Sequence, residues 1–125
     1  MAAVRDVCVI GLGLIGGSLL RAAVAAGGTA WGATESEADI TAATADGFDI
    51  ESSVDAALVR AADRDALVVI AVPLTAVDSV LRKISVVAPT ALLTDVTSVK
   101  QPVADRVEQL APESRFVGGH PMAGT

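Results

Sequence analysis

The run Gly11-Leu12-Gly13-Leu14-Ile15-Gly16 follows the apolar stretch Val7-Cys8-Val9-Ile10 without a gap and opens directly into a segment crowded with glycine and alanine. A short continuous apolar run ending at glycine is the pattern of a strand buried on both faces. Ile15 to Ala26 then reads as a helix, with Gly27-Gly28 as its C-terminal stop. A strand turned straight into a helix by glycines opens a βαβ unit, which calls for further strands and helices.

The remaining chain supplies them. Thr29 to Ala33 is a second short strand, and Ser36 with Asp39 resembles a capping box opening a helix that runs to about Ala45 and stops at Gly47. Between Phe48 and Asp63 the pattern weakens, to a short edge strand and a helical turn. Ala66 to Val72 is the most strand-like run of all; Pro73 ends it, and Thr75 with Asp78 marks a capped helix to about Val86. Ala91 to Asp95 is the next strand. Ser98 to Leu110 is the next helix, with Pro102 in or near its first turn, where proline is tolerated. Phe116-Val117 is a last short strand before Gly118-Gly119-His120-Pro121. Strands alternating with helices of about ten residues predict an α/β fold, a doubly wound, mostly parallel sheet with helices on both faces.

At 125 residues the chain is long enough for one domain with a core, spanning 1–125, and too short for two. A formal net charge of −6 argues against nucleic acid, which needs concentrated Lys and Arg, and only Trp31, Phe48 and Phe116 could stack on bases. The lone Cys8 cannot form an internal disulfide and is expected as a buried space-filler. No run of about 18 apolar residues exists to span a membrane, and the N-terminus lacks a basic signal-peptide start. A cytoplasmic protein without a metal site is the expectation.

A lone G-x-G-x-x-G pattern is weak evidence, but its place between a buried strand and a helix is what the dinucleotide fingerprint requires. Gly11 permits the tight turn, Gly13 leaves room for a pyrophosphate, and Gly16 lets helix and strand approach. The unpaired N–H groups and positive dipole end of the helix would hold phosphate oxygens. The cofactor-binding residues expected are therefore Gly11, Leu12, Gly13, Leu14, Ile15 and Gly16, joined by Thr34 and Glu35 beyond the second strand and by Val72 and Pro73 at the end of the central one. An Asp or Glu after the second strand normally holds the ribose hydroxyls of NAD, whereas Arg there accepts the 2′-phosphate of NADP. Thr34 stands at that position, with Glu35 next. No Lys or Arg occurs from Ala22 to Val59, and Glu35, Glu37 and Asp39 cluster beside the ribose site, which favours NAD.

Three stretches together resemble the prephenate and arogenate dehydrogenase family. They are Gly11 to Ser18, Thr94-Asp95-Val96-Thr97-Ser98-Val99-Lys100, and Gly118-Gly119-His120-Pro121-Met122-Ala123-Gly124-Thr125. The first recurs in many dehydrogenases, and the third is far more specific. The resemblance covers the whole chain and implies a Rossmann-like domain acting in tyrosine biosynthesis. It implies that His120 is the catalytic histidine and that Ser98 hydrogen-bonds to it or to substrate, although Ser98 also fits a capping box with Gln101. Asp95 and Lys100 are read as structural. A neutral imidazole can take a hydroxyl proton from oxygen as hydride leaves the carbon that bears that hydroxyl.

The substrate implied is a small molecule, prephenate or arogenate. In the family a glutamate usually follows the residue matching Thr125, then the rest of the cofactor domain, of which residues 1–125 are the N-terminal part, and a helical domain that makes a homodimer and supplies cations for the substrate. The chain is therefore expected to be truncated before that domain, to have little turnover by itself, and to dimerise only at full length. Near His120 only Arg115 offers a cation. The alternatives are arogenate oxidation with NAD or NADP, and a dinucleotide-binding module without chemistry.

Overall fold

A computed structural model describes residues 6–96 and 100–117. Five strands and five helices follow one another along the described residues, alternating except where α2 is followed directly by α3: β1 (Val7–Ile10), α1 (Leu14–Ala25), β2 (Ala30–Ala33), α2 (Glu37–Ala45), α3 (Val54–Arg64), β3 (Leu67–Ile70), α4 (Leu74–Val87), β4 (Leu92–Asp95), α5 (Lys100–Leu110) and β5 (Arg115–Phe116). The strands lie in the order β2-β1-β3-β4-β5, every neighbouring pair parallel. The chain leaves β1 toward β2 on one side, and β3 takes the other side. That reversal is the topological switch point, outside which ligands of open α/β sheets bind.

Side chains alternate across the sheet and so build two cores. Val9, Ala30 and Val69 meet Leu12 and Leu20 on one face, where α1 lies and α2 contributes Ala43. Cys8, Ile10, Trp31, Val68, Ile70 and Leu93 point the other way, onto α3, α4 and α5. The sheet is doubly wound as expected. Cys8 is fully buried, its thiol donating to the Ala57 carbonyl at 3.6 Å.

Several local expectations hold. Gly27 and Gly47 both have φ +86°, the left-handed conformation that stops α1 and α2. Ser36 accepts from the Asp39 N–H at 3.3 Å, forming the expected cap of α2. Position 102 falls in the first turn of α5.

Two expectations need correction. Thr75 does not cap α4; Pro73 occupies the N-cap position, and its fixed φ of −57° leads into the helix. Asp78 turns instead to Arg106 of α5, with Oδ1 accepting from Nε at 2.8 Å and Oδ2 paired with Nη2. The second correction lies between Phe48 and Asp63, where the helical turn is the full helix α3. Val54, Ala57, Leu58 and Ala61 form its buried stripe, and Ser53 caps it by accepting from the Ala56 N–H at 3.0 Å. The short edge strand is present as a single parallel bridge between Gly32 and Ile50. Arg60 ties α3 to that edge: its guanidinium lies 4.1 Å from the Trp31 ring centroid and pairs with Asp49 at 2.9 Å and Glu51 at 3.0 Å.

Candidate dinucleotide site

The glycines of the loop differ in what demands them. Gly11 has φ +100°, and a Cβ there would lie 2.7 Å from the Ala71 carbonyl oxygen, so both its conformation and the end of β3 require glycine. A Cβ on Gly16 would sit 1.9 Å from the Gly11 carbonyl oxygen, which fixes how closely α1 follows the turn. Gly13 is different. It is the exposed N-cap of α1, has no side chain with which to cap, and a Cβ there would meet no heavy atom within 4 Å. The fold requires glycine at 11 and 16, whereas at 13 open space lies directly at a helix N-terminus. That space fits an incoming phosphate group.

The remaining loop residues divide. The Leu12 side chain is buried in the α1-side core, and its Cδ2 lies 2.7 Å from where a Gly32 Cβ would stand. Only the backbone of Leu12 is left for a ligand. Ile15 is 57% exposed on the first turn of α1, beside Gly13. The side chain of Leu14 lies outside the described residues.

A groove, partly open to solvent, runs from the glycine turn between the ends of β1, β2 and β3. Gly11, Thr34, Glu35, Val72 and Pro73, all expected from the sequence, line it together. Thr34 Oγ1 accepts from the Ser36 N–H at 3.2 Å, and the Glu35 side chain is exposed. The sequence reading missed the far wall: Val54 from α3, and Ala76, Ser79, Val80 and Lys83 from α4. Positions 76, 79 or 80, and 83 recur at helical spacing, so one face of α4 was legible as a wall once the helix was placed beside the switch point. The cation count taken from Ala22 to Val59 therefore needs amending. Lys83 enters the same groove from a remote segment, its Nζ 3.5 Å from Asp55 Oδ1.

Two further groups bear on the site. Asp95, at the carboxyl end of β4, is fully buried, consistent with its expected role at the strand end. Arg115 begins β5, at the opposite edge of the sheet from the groove, where it pairs with Asp65 at 2.9 Å and donates to the Thr90 carbonyl at 3.0 Å. It offers no cation to a substrate at the carboxyl edge. Ser98 and His120 lie outside the described residues. Among the described residues no cluster of His, Cys, Asp and Glu could hold a metal ion, and no helix is long and apolar enough to cross a membrane.

A parallel sheet with its switch point at a glycine turn, and a groove running from that turn past the end of β2, define a Rossmann-like dinucleotide-binding domain. A family profile described as "Prephenate dehydrogenase, nucleotide-binding domain" matches residues 20–125. The chain belongs to that family.

Solved structures agree. A Corynebacterium glutamicum protein assigned as a prephenate dehydrogenase superposes with a TM-score of 0.87 at 49% identity, over 97% of this chain and 38% of that one. The Aquifex aeolicus prephenate dehydrogenase, in complex with hydroxyphenyl propionate and NAD+, gives 0.77 at 27% identity, over 99% and 44%. The Synechocystis arogenate dehydrogenase gives 0.71 at 28% identity, over 96% and 42%. This chain thus spans about two-fifths of the length of these proteins. No curated protein matches it.

Proposed function

We propose that this chain is the cofactor-binding part of an NAD-dependent prephenate dehydrogenase, acting in tyrosine formation. The observation that carries the reading is Gly13: a glycine the fold does not need, placed at a helix N-terminus on the switch point of a chain in this family. The backbone of Gly11 to Gly16 would hold the pyrophosphate, with the adenosine end lying along the groove past Thr34 and Glu35 toward α4. Val72 and Pro73 border the cofactor from the β3 side. The bound nicotinamide supplies the hydride acceptor.

His120 takes the proton of the ring hydroxyl as hydride departs from the carbon that bears it. Loss of carbon dioxide from the ring then yields aromatic 4-hydroxyphenylpyruvate. Ser98, on the segment leaving β4, hydrogen-bonds to His120 or to substrate. The NAD complex of the Aquifex relative supports this choice of cofactor. So do the acids Glu35, Glu37 and Asp39 around the start of α2, which would repel a 2′-phosphate.

Arogenate is the second reading, favoured by the Synechocystis relative. Comparing prephenate with arogenate, each with NAD and with NADP, in the complete enzyme separates the possibilities. The proposal expects NADH formation from prephenate to be fastest. It also expects His120→Asn to lower kcat by about 10² to 10⁴-fold with little change in NAD affinity. Fast turnover by that variant would remove His120 from the chemistry.

A further inference from the structure

The groove beside the glycine loop is largely apolar, with Val72 on its β3 side and Val54, Ala76 and Val80 on its far wall. Lys83 also lines it, one turn of α4 beyond Ser79. Its ammonium is not held there for stability. It pairs with Asp55 at 3.5 Å, with side chains 33% and 60% exposed, and pairs so exposed contribute at most about 1 kcal/mol. The pairing does set an acceptor, Asp55, beside a donor that lines the groove.

A nearly apolar pocket fixes its ligand by such a small number of polar groups. Adenine carries on one edge a ring nitrogen that accepts, N1, next to an amino group that donates, N6. An ammonium beside a carboxylate is the complement of that edge.

We infer that Lys83 and Asp55 read the adenine base of the dinucleotide, Lys83 donating to N1 and Asp55 accepting from the N6 amino group. The inference rests on the dinucleotide reading above and adds to it a determinant of base specificity. Hypoxanthine, with a carbonyl at position 6 and a proton on N1, reverses both hydrogen bonds. Both residues then face groups of the wrong polarity.

The test is calorimetric titration of the purified chain with NAD+, with nicotinamide hypoxanthine dinucleotide and with NADP+, repeated for Lys83→Met, Lys83→Arg and Asp55→Asn. The wild-type chain is expected to prefer adenine over hypoxanthine by about 10-fold or more, the worth of a hydrogen bond to a charged group. Lys83→Met should weaken NAD+ binding by about 10-fold and bring the two bases near parity, with Lys83→Arg recovering part of the preference. Asp55→Asn should narrow the preference without abolishing it. Unchanged base preference in Lys83→Met would overturn the inference while leaving dinucleotide binding intact. A loss confined to NADP+ would also overturn it, because it would place Lys83 against the 2′-phosphate. Binding of neither base by the wild-type chain would sink the dinucleotide reading along with it. Melting temperatures of the variants, expected to stay close to wild type because the Lys83–Asp55 pair is partly exposed, keep folding out of the comparison.

Discussion

Single residues carry distinct demands in the glycine loop, and substitution should separate them. Gly16→Ala drives a methyl group into the Gly11 carbonyl, from which it would lie 1.9 Å, so α1 must shift. A cost of roughly 1–3 kcal/mol is expected in denaturant unfolding, the range for overpacked sites. Gly13→Ala meets nothing within 4 Å, and its cost should stay within about 1 kcal/mol, that of a poorer N-cap. Equal destabilisation by the two would mean that the turn is not built as described.

Cys8 makes a pH-dependent prediction. Burial pushes its thiol up from 9.0 to about 12. The unfolded chain therefore releases this proton at lower pH than the folded chain. Its contribution to stability is complete below about pH 9 and is lost as pH rises from 9 to about 12, at up to about 1.4 kcal/mol per pH unit. The slope attributable to Cys8 should vanish in Cys8→Ala, so subtracting the two profiles isolates it. Identical alkaline slopes in the two proteins would show that the thiol does not titrate as its burial requires.

At the scale of elements, strands and glycine-bounded helices were legible, whereas the start of α4 and the extent of α3 were not. β1 and β3 are runs of Val and Ile whose contrast with the flanking glycine or proline marks them. α3 hides because its buried stripe contains two alanines beside Val54 and Leu58, so the apolar periodicity stands out little from an alanine-rich surround. Thr75 and Asp78 looked like a cap because spacing alone cannot show that Asp78 faces Arg106 across to α5. The structure makes α3 a supporting element that contributes Val54 to the groove through an otherwise ordinary amphipathic helix. Leu58→Ala should cost about 2–5 kcal/mol by opening a cavity under it. Ser53→Ala should cost about 1 kcal/mol through loss of its cap. Chemical denaturation measures both; values near zero would mean that α3 is not packed on the sheet.

For the whole molecule, the sequence contained the fold class, the switch-point loop and one wall of the groove. It could not show the opposite wall, because Lys83 and Thr34 are brought together only by the parallel crossover that sets β3 beside β1. For the same reason Arg115, close to His120 along the chain, proves to serve the far edge of the sheet through Asp65. The groove and the turn nevertheless converge on one ligand chemistry, and that convergence is what the family's nucleotide-binding domain would produce. Titrating NAD+ into the purified chain and into its Gly13→Ala variant tests this most directly. Saturable binding is expected for the wild type, weakened at least 10-fold in a variant that unfolds at nearly the same denaturant concentration. Equal affinity in the two, or no binding by the wild type, would contradict the placement of the cofactor on this loop.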